Sequence, residues 1–219
     1  MSFHVTTLRR LFLFGLLVGL ISNPVKAQAP NSPIIFANQD AIVTSFVTAA
    51  NLGGTSSSSS SDANTQWLKV EIHYSVTPAT GDFLDSVEFK IWIEGRDLLD
   101  TSSTNPDEGT AIGLTGDVTY VNVPKGKDDY GVFYVHPDTL TRYSTARGYT
   151  DFDRQFDIHV QVFVGGALMD EIDKNQGKET DPKWFQALKP IAGLVYRQNQ
   201  SPFILADSSR YPAIKLPTQ

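Results

Sequence analysis

Histidines and carboxylates are the side chains of this sequence with acid–base or metal-binding chemistry. His73, His136 and His159 lie in the body of the chain. Acids cluster at Asp97 and Asp100, at Asp128 and Asp129, at Asp151 and Asp153, and at Asp170, Glu171 and Asp173. A nucleophilic enzyme needs Ser or Cys beside a base. The chain has no cysteine and no Gly-x-Ser-x-Gly elbow. A zinc site needs three or four converging ligands, and a His-Glu-x-x-His motif is absent. Paired carboxylates can hydrolyse glycosides at the right separation, but Asp is also a common turn former. The expectation is therefore solvated turn acids, histidines on the polar faces of strands (His73, His159) and one in a strand-end turn (His136). Asp173–Asp181 alternates oxygen ligands around Gly177, like half of a calcium loop. It lacks the central ligand and the terminal Glu, and Lys174 and Lys178 oppose a cation. It reads as a charged loop. No phosphate-cradling glycine motif occurs. The sequence thus assigns no catalytic residue, no cofactor and no metal.

Aromatic residues are the remaining resource. Trp92 shares a strand parity with Glu88, Lys90 and Glu94, and Trp184-Phe185 sits in a short helical stretch. Trp92, Trp184 and Phe185 are the candidate interaction residues, since exposed aromatics stack on sugars or anchor protein partners. The competing expectation is that another layer or the C-terminal segment covers them.

The elements that must position these residues are strands. Leu68, Val70, Ile72, Tyr74 and Val76 alternate with polar residues, as do Val87–Ile93 and Phe156–Val164. A period of two means half-buried strands. Shorter strands are expected at Val118–Val123, Tyr130–Val135, Ala167–Ile172 and Ile191–Arg197. Ile34–Phe36 and Ala41–Ala49 are apolar on both faces and read as an early strand pair or one bulged strand. Turns are expected at Gly81-Asp82, Gly116-Asp117, Lys125–Lys127 and Gly165-Gly166, the last a tight hairpin. Helical signals are confined to Pro137–Tyr143 and to Asp181–Leu188, the latter stopped by Pro190. A flexible Ser-rich loop, Gly53–Ser61, separates the first strand from the rest. Long decorations are expected at Gly53–Gln66, Leu99–Gly113 and Lys174–Pro190. The pattern predicts an all-β protein, a β-sandwich with one or two short helices. The tail after Ser201 carries Pro202 and Pro212, which exclude regular central pairing. It reads as a strap, with Phe203 and Tyr211 on apolar surface and Arg210 paired to a loop acid.

The 219 residues carry a net charge of −6, which argues against nucleic acid as a partner. Arg9 and Arg10, the apolar run Leu11–Ile21 and Val25-Lys26-Ala27 make a secretory signal peptide over residues 1–27. The run is too short for a bilayer span. It also lacks the long acidic-headed helix of a type IV pilin. Cleavage after Ala27 removes Arg9, Arg10 and Lys26 and no acid, leaving 15 basic and 24 acidic residues, a net −9. A mature chain of that size can bury a core without disulfide staples.

Four stretches, Trp67–Val76, Asp85–Gly95, Gln155–Val164 and Val195–Pro212, resemble a small family of verrucomicrobial pilus-like proteins. That family is associated with a type IV pilus-related gene cluster of mucin-degrading gut bacteria. The resemblance implies an immunoglobulin-like β-sandwich with long loops, here residues 67–219 behind an N-terminal strand segment, 28–66. It also implies export to the periplasm, outer surface or medium, and a non-enzymatic role with protein partners in a pilus or envelope assembly. It brings no catalytic residues. A glycan-binding module or adhesin is the alternative.

Overall fold

The computed structural model describes residues 32–37, 41–49, 66–77, 80–97, 99–100, 109–126, 128–143, 156–174, 183–206 and 209–216. Residues 1–27, the Ser-rich stretch to residue 65, Asp151, Asp153 and most of the calcium-like stretch lie outside them.

Eleven described strands form two sheets. In chain order they are β1 (Ile34–Phe36), β2 (Ile42–Thr48), β3 (Gln66–Val76), β4 (Phe83–Asp97), β5 (Thr110–Pro124), β6 (Asp128–Val135), β7 (Ile158–Val164), β8 (Ala167–Lys174), β9 (Lys189–Ala192), β10 (Val195–Arg197) and β11 (Ala213–Ile214). One short helix, α1, spans Pro137–Tyr143, and 3-10 turns occupy Trp184–Ala187 and Gln198–Gln200. Sheet A runs from β1 and β2, through β3 and β6, to β10. Sheet B runs from β8 through β7 and β4 to β5, whose far edge is shared by β9 and β11. The chain is all-β, a sandwich of two sheets.

The alternation seen in the sequence sets the core. Leu68, Val70, Ile72, Tyr74 and Val76 of sheet A face Val87, Phe89, Ile91, Ile93, Val160 and Val162 of sheet B, and all are buried. Each fully buried aliphatic side chain contributes about 1.5–3 kcal/mol. Tyr120 spans the layers. Its hydroxyl accepts the Val132 N–H at 2.9 Å, serving a β6 amide beyond the reach of the short strand β10. Burial pushes the Tyr120 phenol far above its ordinary range, so it stays neutral.

The two early strands both pair antiparallel with one edge of β3. Phe36 lies opposite Tyr74, and Ile42 opposite Ile72. They are two strands laid along the same edge of β3. Ile34 and Ile42 are buried, so the segment is an ordinary strand of its own sheet. The Gly165-Gly166 hairpin forms, with both glycines at positive φ (58° and 81°).

Three sequence expectations change. Gly116-Asp117 is the middle of β5, which runs fifteen residues. A side chain at Gly116 would lie 2.9 Å from Val195 Cβ, so this glycine serves a close approach. Ile191–Arg197 is two strands. Gly193, at φ 84°, turns the chain from β9, parallel to β5 in sheet B, into β10, antiparallel to β6 in sheet A. The second helical stretch is only the 3-10 turn Trp184–Ala187, ended by Leu188 in extended conformation.

Candidate functional site

The candidate interaction residues come together on the outer face of sheet B. Trp92 on β4 lies opposite His159 on β7. The 3-10 turn lays Phe185 over both. The Phe185 ring stacks on His159 at 3.7 Å between centroids and meets Trp92 at 5.0 Å. His159 is 0% exposed. This corrects the expectation of a water-facing histidine: strand parity identifies the outer face but not what folds across it. Nδ1–H of His159 donates to Asp173 Oδ1 at 2.7 Å, and Trp184 Nε1–H donates to the same oxygen at 3.2 Å. Glu171 Oε2 stands 3.7 Å from Nε2. The resulting His–Asp pair is sealed under an aromatic ring. It ties β7 to β8 and holds the 3-10 turn down. Phe185 is buried, and Trp92 and Trp184 are half-buried.

The outer face of sheet A is covered by the tail, as the strap reading expected. Phe203 stacks on Tyr134 at 4.7 Å and meets Trp67 edge-on at 5.8 Å. Arg210 lies over the Tyr130 ring at 4.0 Å. Its ionic partner is Glu71 at 3.5 Å, a strand residue rather than a loop acid. Glu71 also receives the Tyr211 hydroxyl at 2.7 Å and Lys69 Nζ at 3.1 Å. Burial works to raise the Glu71 carboxyl. The hydrogen bonds from Tyr211 and Lys69, and the charges of Lys69 and Arg210, outweigh it and hold the group below its ordinary 4.5. Burial and the Glu71 carboxylate push the Tyr211 phenol up. Lys69 and Glu71 are nearly as buried as the core. Their sequence signal, two charges on a strand's polar parity, is that of any solvated pair.

Asp129 also departs from the turn-acid expectation. It lies opposite Tyr74 on the inward face of β6 and is 1% exposed. His73 and His136 make edge-on ring contacts with Tyr130 and Trp67, respectively.

The two lateral sides of the sandwich differ. On one side, β9, β10 and β11 cross between the sheets. Arg197 Nε–H donates to the Asp117 carbonyl at 2.7 Å, and its guanidinium pairs with the Asp117 carboxylate. On the other side lie β2 of sheet A and β8 of sheet B, joined where Lys174 Nζ donates to Thr44 Oγ1 at 2.5 Å. Strand β8 carries Asp170, Glu171, Asp173 and Lys174, with a register irregularity opposite Val162 and Phe163. Strand β2, Ile-Val-Thr-Ser-Phe-Val-Thr, carries no charge and no proline. It pairs with β3 and with no other described strand.

A family model of pilus-associated proteins matches residues 47–218. The chain belongs to that family. The match takes in both sheets and begins at the end of β2. Among solved structures, the chain is similar to a crystal structure of a protein from Akkermansia muciniphila. The two share 20% identity over 84% of this chain and 93% of that one, with a TM-score of 0.61. At that identity the likeness shows the fold. No curated protein matches the chain. No described helix is long and apolar enough to cross a membrane.

Proposed function

We propose that this protein is an exported, non-enzymatic component of a pilus-related envelope assembly, acting by binding other proteins. The observation that carries the reading is membership of the pilus-associated family over residues 47–218. The leader-like residues 1–27 support export. The two-sheet body supports an immunoglobulin-like sandwich with its first strands in the same sheet as β3. A binding role also fits the His159–Asp173 pair, which lies sealed beneath Phe185, where no substrate reaches it. The aromatics offered for glycan binding are engaged with one another and with His159, which leaves protein contact as the better-supported mode.

Crosslinking of intact cells followed by mass spectrometry tests the reading, with fractionation of the same cells. Expected are a chain beginning near residue 28 in the envelope fraction and crosslinks to envelope or pilus components. A chain retained whole in the cytoplasm, or crosslinked only to cytoplasmic proteins, would sink it.

A further inference from the structure

We infer that copies of this chain join head to tail, the Ile204-Leu205 turn of one copy seating in the groove around Phe83 of the next. This names a second copy as one partner for the protein-binding role proposed above and rests on that reading. It is tested on purified protein, so its failure leaves the cellular reading standing.

The exposed apolar side chains are not scattered. Seven large ones are exposed among the described residues, and six of them lie toward the two ends of the sandwich. Ile35, Phe83 and Leu168 lie toward the end where β3 finishes and β4 begins. Leu99, Ile204 and Leu205 lie at the other end, where β4 finishes and β3 begins. Strand β3, eleven residues at about 3.3 Å each, separates the two ends by roughly 30 Å.

One end presents a turn. Ile204 and Leu205 are 51% and 82% exposed, yet the backbone beneath them is held from inside. The buried Gln198 donates from Nε2 to the carbonyls of Ala206 at 2.7 Å and Phe203 at 3.4 Å. Ala206 N–H donates to the Phe203 carbonyl at 2.9 Å, and Phe203 N–H donates to Ser201 Oγ at 3.2 Å. Phe203 itself is anchored on Tyr134 and Trp67. Two aliphatic side chains are thus held out in water on an ordered turn, with little entropy left to lose on docking.

The other end presents a groove. Its volume is about 800 Å³, and Pro33, Phe83, Leu84 and Val164 are among its walls. Phe83 is 58% exposed. Apolar side chains entering such a concavity leave water, which drives association.

Charge selects how the ends meet. The chain carries a net −6, and Asp85 lines the groove. Two grooves face to face would set that acid against its own copy. Ser201–Ala206 has no charged residue, so turn against groove avoids the repulsion. Such a contact is heterologous: every copy added leaves a turn free at one end and a groove at the other.

Sedimentation of the purified mature chain should show species that grow beyond a dimer as concentration rises. Leu205→Glu and Phe83→Glu change exposed positions and should keep native circular dichroism. Each should weaken association at least about tenfold, because each places an unpaired charge in the contact. Mixed together they should form a heterodimer and nothing larger, since one supplies an intact turn and the other an intact groove. The chain has no cysteine of its own, so Leu205→Cys and Phe83→Cys should crosslink under mild oxidation when mixed and poorly alone. Any of three results overturns the inference. They are a monomer at every soluble concentration, association of the unmodified chain that stops at a dimer, and variants that fail to pair when mixed. Association lost in only one of the two Glu variants also overturns it, by giving the turn or the groove a different occupant.

Discussion

The two lateral sides of this sandwich solve one problem in opposite ways. Every open sheet ends in strands whose outer backbone groups seek partners. On the β9–β10–β11 side the chain itself supplies them. It runs along β5, crosses at Gly193 to β6, and returns to β5 as β11. On the β2–β8 side nothing crosses among the described strands. Strand β8 is guarded by acids and an irregular register, whereas β2 has neither guard. A side closed by covalent continuity contributes to the stability of the fold. The β2–β8 side, acidic and irregular along β8, has no such closure among the described strands.

Removing residues 195–219 should have the largest effect. It takes away β10, the strap over sheet A and β11, and with them the buried Val195 and Tyr211. The cooperative thermal transition should disappear by circular dichroism. A native-like transition would mean that this side is ornament rather than closure. Next, Phe185→Ala should cost roughly 2–3 kcal/mol in urea unfolding, below the about 3–5 kcal/mol typical of core phenylalanine, because Phe185 caps an outer face. Tryptophan emission should shift to the red as Trp92 and His159 are uncovered. Gly116→Val sets a side chain against Val195 at the crossing and should destabilise by about 1–3 kcal/mol.

A smaller effect is expected from acid. Glu71 has a folded-state value below its ordinary 4.5, so the native state binds fewer protons than the unfolded chain in that window. Its contribution is full above the ordinary carboxylate value and is lost as pH falls through the depressed one. Stability should therefore decline on acidification, and Glu71→Gln should flatten that decline while lowering stability at neutral pH. A pH profile unchanged by Glu71→Gln would detach the strap from this carboxylate. The smallest effect belongs to β2. Ser45→Glu should leave the unfolding free energy within about 0.5 kcal/mol, as for an ordinary surface change. A large loss there would show that β2 is needed for stability as much as the crossing is.

The strands with strict alternation, β3, β4 and β7, were legible in the sequence because one face of each meets the core. The Gly165-Gly166 hairpin was legible because its backbone demands glycine. What stayed hidden lies on the opposite faces. Lys69, Glu71 and His159 have the parity of solvated residues, and only long-range coverage, by the strap in one case and by Phe185 in the other, makes them buried. Gly116 read as a turn because a glycine beside an aspartate usually is one. Its real constraint is Val195, nearly eighty residues away. The candidate aromatics were singled out by residue type, but their mutual packing depends on a 3-10 turn that periodicity does not predict.

The crossing at Gly193 has a consequence for the order of events during synthesis. Strand β10 completes sheet A and β9 and β11 complete sheet B, yet all three follow residue 188. A nascent chain therefore holds most of its apolar surface in two unfinished layers until its last strands emerge. Pairings between partners so distant in sequence form slowly. Under the export proposed above, such late completion would be an advantage. The same delay makes a prematurely truncated product a sticky one, with open edges on both layers.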